Sequence, residues 1–148
     1  MTKVKAPAEY RPVRAADLHV AALMGLLFEQ VRRMLAEQDW GGLRPAHFRL
    51  LEAVPAGGIS ISALAPALRM TKQAVGQFVT QLVESGHLDV QVAPDDRRRR
   101  MVTRTSTGDE TVAALAVRLD QLEREWAQRV GTRRYDEFRA TLELLAEQ

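Results

Sequence analysis

Residues Thr71–Thr105 read TKQAVGQFVTQLVESGHLDVQVAPDDRRRRMVTRT. The spacing predicts one helix, a turn at Gly86, and two extended runs, Val90–Ala93 and Met101–Thr105, joined by a loop that carries Arg97–Arg100. Val75, Val79, Leu82 and Val83 recur at helical intervals and mark the buried face. The opposite face offers Lys72, Gln73, Gly76, Gln77, Thr80 and Gln81, which is polar but nearly uncharged. Amide side chains of that kind are suited to bonding base edges in a major groove. The arginines follow directly, at a hairpin tip from which they reach a phosphate backbone or a minor groove. A helix that reads beside a basic hairpin that grips is the plan of a winged helix-turn-helix.

The reading works outward to both ends. Ser60 is placed as the cap of a short helix, ISALAPAL, with Ile59–Ile61 as a very short strand before it. Pro66 sits awkwardly in that helix but near its start, where its cost is smaller. Pro45 suits the first turn of a helix that buries Phe48, Leu51 and Val54. Upstream, Asp17 is read as the cap of a helix carrying Leu23, Leu27, Val31, Met34 and Leu35, ended by Gly41-Gly42. Its apolar stripe is wider than one contact face needs. Downstream, Thr107 and Glu110 form a capping box for a helix running to about Val130, and a last helix starts at Thr132. Residues 1–16 read as a loose arm.

Composition narrows the functional classes. The chain has 148 residues, 46% hydrophobic and 27% charged, enough for one domain with a core. It has no cysteine, so disulfides, zinc thiolates and thiol redox chemistry are excluded. No run of about 18 apolar residues suggests a membrane span, and the polar N-terminus lacks a signal core, so a cytoplasmic protein is expected. The net charge of +2 is uneven: residues 60–105 carry seven basic and four acidic side chains, and residues 106–148 six and nine. A basic middle favours a polyanionic partner.

The arginine run is weighed against an ordinary solvated charge run. Its confinement to a hairpin tip, with Asp95 and Asp96 beside it, favours function. Asp96 is expected to pair with Arg98 and stiffen the tip. Catalysis finds no footing. There is no serine elbow, phosphate-binding glycine loop or metal-spaced cluster, and no catalytic residue, cofactor or metal is assigned. His19, His47 and His87 lack partners at metal-ligand spacing, and His87 is expected at the surface.

The segment Thr71–Val90, with Pro94–Gly108 after it, resembles the recognition helix and wing of the MarR family of bacterial transcription regulators. Three features carry the likeness: Leu82-x-x-x-Gly86, the tip Asp96-Arg97-Arg98-Arg99-Arg100, and Thr105-x-x-Gly108. The flanking helices agree in order and length, so it spans roughly residues 17–147. Pro66 and four successive arginines depart from the usual pattern.

The resemblance implies a fold that is mainly α with a small β-hairpin wing. It implies a single domain over 17–148, in which 17–40 and 107–148 are dimerisation helices and 45–106 is the winged-helix DNA-binding region. It implies a homodimer on a pseudo-palindromic duplex, a cytoplasmic and nucleoid-associated repressor released by a small aromatic effector. Thr71 and Lys72 are expected on phosphate and Gln73, Gln77, Thr80 and Gln81 on bases. Arg97, Arg98, Arg99 and Arg100 are expected on the backbone or minor groove. His19, His47 and Trp126 are the candidate effector residues, against the plainer reading of solvated histidines and a core tryptophan. The rivals are a winged-helix protein-interaction module and a small-molecule binding protein without DNA binding.

Overall fold

Capping chemistry decides where most of the helices begin. The computed structural model describes residues 14–93 and 95–147, so most of the expected arm lies outside the described residues. A short 3-10 turn, Ala15–Asp17, precedes α1 (Val20–Ala36), α2 (Pro45–Ala53), β1 (Ile59–Ser60), α3 (Ile61–Ala67) and α4 (Lys72–Glu84). Then come β2 (Leu88–Ala93), β3 (Asp96–Arg104), α5 (Ser106–Val130) and α6 (Thr132–Ala146). Pro45 opens α2, as its fixed φ favours. Ser60 Oγ accepts the amide of Ala63 at 3.2 Å, and Thr71 Oγ1 that of Ala74 at 3.1 Å.

Two caps differ from expectation. Asp17 lies in the 3-10 turn, and α1 starts after His19 with no side-chain cap. At α5 the cap is Thr105, whose Oγ1 accepts from Gly108 N–H at 3.1 Å, two residues before the expected Thr107. Thr105 wins because β3 delivers it directly to the turn. Its amide donates to His87 O at 3.1 Å and its hydroxyl to Gly86 O at 2.6 Å.

Pro66 is the sixth of seven residues of α3, near the end rather than the start. The bond it forfeits would have reached Ser62, which is exposed and so open to water. The helix then closes in a Schellman turn, with Arg69 N–H on Pro66 O and Met70 N–H on Ala65 O. Arg69 takes the left-handed conformation at φ 53°. The same turn ends α4, with Gly86 at φ 77° and His87 N–H on Leu82 O at 2.8 Å.

The three strands are antiparallel in the order β1-β3-β2, with Val102 paired to both Ile59 and Val90. The wing corrects the expected loop. β3 begins at Asp96, so Arg97–Arg100 are strand residues rather than a loop. Val92 pairs with Arg100 and Ala93 with Asp96, the mismatch being absorbed by a bulge. Arginines are tolerated there because all four are exposed and neighbours along a strand point to opposite faces.

Two core clusters result. The larger joins Leu50 and Leu51 of α2, and Val54 just past its end, to Leu64, Val75, Val79, Leu82, Leu88 and Val102. The smaller joins Met34 and Leu35 of α1 to Phe48 and Leu115. Helix α2 therefore serves both, with Phe48 turned one way and Leu50 and Leu51 the other. Arg104 ties the end of α2 to the start of α5. Its Nη1 donates to Leu51 O at 3.1 Å and Val54 O at 2.6 Å, and its Nε to Asp109 Oδ1 at 2.7 Å. Trp40 donates from Nε1 to Leu35 O at 2.8 Å and packs edge-on against Phe48. Large apolar side chains stay exposed on α1 and α6, among them Val20 at 71% and Leu144 at 74%. Among the described residues no helix is long and apolar enough to cross a membrane.

Candidate nucleic-acid interface

The outer face of α4 and the base of the wing share one cleft. Gln73, Gly76, Gln77 and Thr80 line it from the helix, and Val90 and Arg100 from β2 and β3. Gln73, Gln77 and Thr80 fall on one side because the buried positions Val75, Val79 and Leu82 claim the other. Both glutamines are exposed with their amides available. Thr80 Oγ1 donates to Gly76 O at 2.9 Å, which leaves its lone pairs to accept from a base amino group. Gly76 has nothing within 4 Å of where a Cβ would stand. The chain's own packing thus gives no reason for a glycine in mid-helix, where it destabilises.

Helix α4 presents its N-terminus with no acidic residue in the first turn. Lys72 is exposed there, and Thr71 is exposed with its hydroxyl hydrogen uncommitted by the cap. Free amides, the positive end of the helix dipole and a lysine together favour a phosphate.

Gln81 departs from the expected set. Its Oε1 lies 2.8 Å from His47 Nε2, toward α2 and away from the row formed by Gln73, Gln77 and Thr80. His47 is buried at 5% exposure and stacks edge-on against Phe78. The side-chain oxygen of Gln81 is therefore held by a core histidine.

The wing tip is also wired differently. Asp96 Oδ1 accepts the backbone N–H of Arg98 at 2.9 Å, so it stiffens the turn without engaging the Arg98 guanidinium. The arginine that pairs is Arg99, whose Nη2 meets both oxygens of Asp95 at 2.6 Å. That bond holds the Asp95 carboxyl below its ordinary range. Arg97 and Arg98 project freely among the described residues, and Arg100 faces the α4 cleft.

The three expected effector residues do not converge. His19 is exposed at the start of α1, His47 is committed to Gln81, and Trp126 donates from Nε1 to Gln30 Oε1 at 2.8 Å. A different cleft of about 400 Å³ opens where α1, α2 and α5 meet, walled by Phe28, Val31, Phe48, Leu115 and Leu119, with Arg49 and Glu52 also lining it. Arg49 Nη2 donates to Leu68 O at 3.1 Å. Partial burial pushes the Glu52 carboxyl up. The α2 residue Phe48 was legible as core, but its place in a cleft was not. His87, expected at the surface, is buried at 8% exposure. The turn after α4 folds it inward, and Ser85 Oγ, which donates to Leu82 O, accepts from its Nδ1 at 2.8 Å. Among the described residues no group of three or more His, Asp or Glu is placed to hold a metal ion.

A sequence model described as the MarR family matches residues 41–99, the stretch from before α2 to the arginines of β3. Among solved structures, MarR superposes with a TM-score of 0.77 at 22% identity, covering 92% of this chain and 94% of that one. The PcaV transcriptional regulator from Streptomyces coelicolor, solved with its natural ligand, gives 0.71 at 18%, covering 93% and 98%. MepR of S. aureus, solved in complex with DNA, gives 0.72 at 17%, covering 88% and 99%. No curated protein sequence matches the chain.

Proposed function

We propose, from the premise that this chain has the winged-helix fold of the MarR family, that it is a homodimeric transcription regulator that binds duplex DNA in sequence-specific fashion. The observation that carries this reading is the shared cleft. Amide side chains of Gln73 and Gln77 stand on the outer face of α4, and Arg100 faces them from the wing. Gln73 and Gln77, with Thr80, read bases. Thr71 and Lys72 hold a phosphate at the helix start, and Arg97, Arg98 and Arg100 grip the backbone or minor groove. MepR, similar in fold, is solved in complex with DNA.

The exposed apolar side chains of α1 and α6 supply the dimer contact. Two copies of α4 then meet successive major grooves about one turn apart, ~34 Å. The reading continues to a cytoplasmic, nucleoid-associated repressor without enzymatic activity, released by a small effector. PcaV, of similar fold, is solved with a natural ligand. The apolar cleft between α1, α2 and α5 is the place for such an effector, because a ligand there touches both core clusters and biases the angle between them.

Selection of bound sequences from random duplex DNA with the purified full chain tests this. A two-fold symmetric motif with half-sites one helical turn apart is the expected result. Recovery of DNA without any enriched sequence would remove the reading role of α4, and no retention at low salt would remove DNA binding altogether.

A further inference from the structure

The cleft shared by α4 and the wing is not polar throughout. Beside the glutamines it is lined by apolar side chains, Ile61 from the start of α3, Val79 and Val83 from α4, and Val90 from β2. Val83 stays exposed. Gly76, Thr80 and Val83 follow one another at steps of four and three residues, so they form one flank of α4, and that flank lines the cleft opposite the wing. Apolar side chains cannot hydrogen-bond a base edge or a phosphate. The base edges of the major groove carry one apolar group, the C5-methyl of thymine. From this match, which rests on the DNA-binding reading above, we infer that the flank formed by Gly76, Thr80 and Val83 is a receptor for that methyl group. The chain then requires thymine, and not merely a pyrimidine, at one position of each half-site.

The geometry of the flank suits a methyl group. Gly76 has no atom within 4 Å of where a Cβ would stand, which leaves a hollow the size of one methyl group on the helix surface. Thr80 stands one turn further on. Its Oγ1 donates to Gly76 O at 2.9 Å, and that bond fixes the side chain, so the γ-methyl is the apolar branch presented to the groove. Val83 extends the apolar surface by another turn, and Val90 closes it from the wing. Arg100 lines the same cleft from β3, where a phosphate contact would hold the groove wall against the flank.

The neighbouring side chains select thymine over a methylated cytosine. Gln77 follows Gly76 in the chain and Gln73 lies three residues before it, and both line the cleft. A glutamine amide forks the N6 and N7 atoms of adenine. A glutamine on adenine and a methyl group in the hollow read the two halves of one A·T pair. Cytosine instead presents an amino group, which a carboxylate accepts best. The carboxylate that lines the cleft, Glu84, lies eight residues beyond Gly76, about 12 Å along the helix axis.

Replacement of thymine by deoxyuridine tests the assignment, because uracil lacks only the methyl group. The duplex is the site selected from random DNA, with one thymine position changed at a time in both half-sites, and the affinity of the full chain is read by fluorescence anisotropy. At one position the loss should be about fourfold per half-site, the worth of one buried methyl group. Gly76→Ala should bind the thymine duplex about tenfold more weakly than the parent. It should recover most of that loss on the uracil duplex, since the alanine methyl takes the space that the thymine methyl has left. Thr80→Ser, which keeps the hydroxyl, should lower the preference for thymine, and Gln81→Ala should leave it unaltered. A 5-methylcytosine·guanine pair at the same position should bind no better than uracil. Equal affinity for thymine and uracil at every position would overturn the inference. So would an equal loss of Gly76→Ala on both duplexes, or a 5-methylcytosine pair that matched thymine. A parent chain with no preference for the selected site over random DNA would overturn the reading role of α4 and this inference with it, and that result is seen before any uracil is introduced.

Discussion

His47 Nε2 lies 2.8 Å from Gln81 Oε1, and the other side of the ring fixes the direction of that bond. The backbone N–H of Arg44 donates to His47 Nδ1 at 2.9 Å, so Nδ1 is the acceptor and Nε2 carries the hydrogen it donates to Gln81. The bond joins α2 to α4 across the edge of the larger core. Gln81→Ala leaves the buried Nε2–H without its acceptor and should cost about 1–2 kcal/mol in urea unfolding. It should leave the preference for a selected site over random DNA intact. Gln77→Ala, on the open face, should do the reverse. A loss of discrimination in Gln81→Ala as large as in Gln77→Ala would return Gln81 to the reading set.

Arg99 is held by Asp95 in a two-oxygen ion pair at the wing tip. Asp95→Asn releases the guanidinium for phosphate. The slope of log affinity against log salt should steepen by about 0.9, one further phosphate contact. Affinity for all sequences should rise together, since a phosphate contact carries no sequence information. Lowered pH acts in the same direction. The carboxyl of Asp95 is held low, so the pair is intact above the usual carboxylate range and opens only as pH falls through that lowered pKa. A slope unchanged by Asp95→Asn would mean that Arg99 does not reach DNA.

Gly76 stands in the middle of α4 with open space where a Cβ would go. Gly76→Ala should therefore stabilise the isolated protein by about 0.5–1 kcal/mol, since it raises helix propensity without a clash. If the glycine is there to let DNA approach the helix backbone, the same change should weaken operator binding about tenfold, near 1.4 kcal/mol. Higher thermal stability with unaltered DNA affinity would show that nothing approaches that surface closely.

How much of this was legible in the sequence depends on the range of the interaction. Val75, Val79 and Leu82 announced their buried face by period alone, and Thr71, Ser60 and Pro45 announced helix starts by local chemistry. The fold class followed from these. The site was only half legible. Gln73, Gln77 and Gln81 follow one another at four-residue steps along the helix, and what draws the Gln81 oxygen aside is a histidine 34 residues away. Arg97–Arg100 read as a loop because a charge run carries no strand signal. Asp96 and Arg100, paired with Ala93 and Val92 of β2, bracket the run and draw it into the strand. His87 went inward because the α4 turn and Ser85 set its direction.

Glu52 lines the α1, α2 and α5 cleft, and burial raises its carboxyl pKa. A raised pKa means that the charged form is penalised in the folded state. The penalty is present above the raised value and disappears as pH falls through it. Glu52→Gln should thus be more stable than the parent at neutral pH, with the difference shrinking as pH falls through the raised value toward the ordinary carboxylate one. Melting temperatures across pH 4–8 follow this directly. A difference that grew on acidification would assign Glu52 a favourable charge interaction instead.

Gly108 marks the joint between the wing and α5. A Cβ there would lie 2.2 Å from His87 O and 3.3 Å from Arg104 Cβ, and the first of these is backbone with no rotamer to yield. The same few residues close the joint from the other side, with Thr105 bonded to Gly86 and His87. Gly108→Ala must push α5 off the end of α4, at a cost of about 1–3 kcal/mol typical of overpacking. Arg104→Lys probes the joint without that strain. A lysine keeps the charge but cannot span Leu51 O, Val54 O and Asp109 with one fork. It should lower stability by about 1–2 kcal/mol through the carbonyls left at the end of α2. If the joint sets the direction in which α4 is presented by the dimerisation helices, Arg104→Lys should also weaken binding to a two-site operator more than to a single half-site. Equal losses on both would confine Arg104 to stability alone.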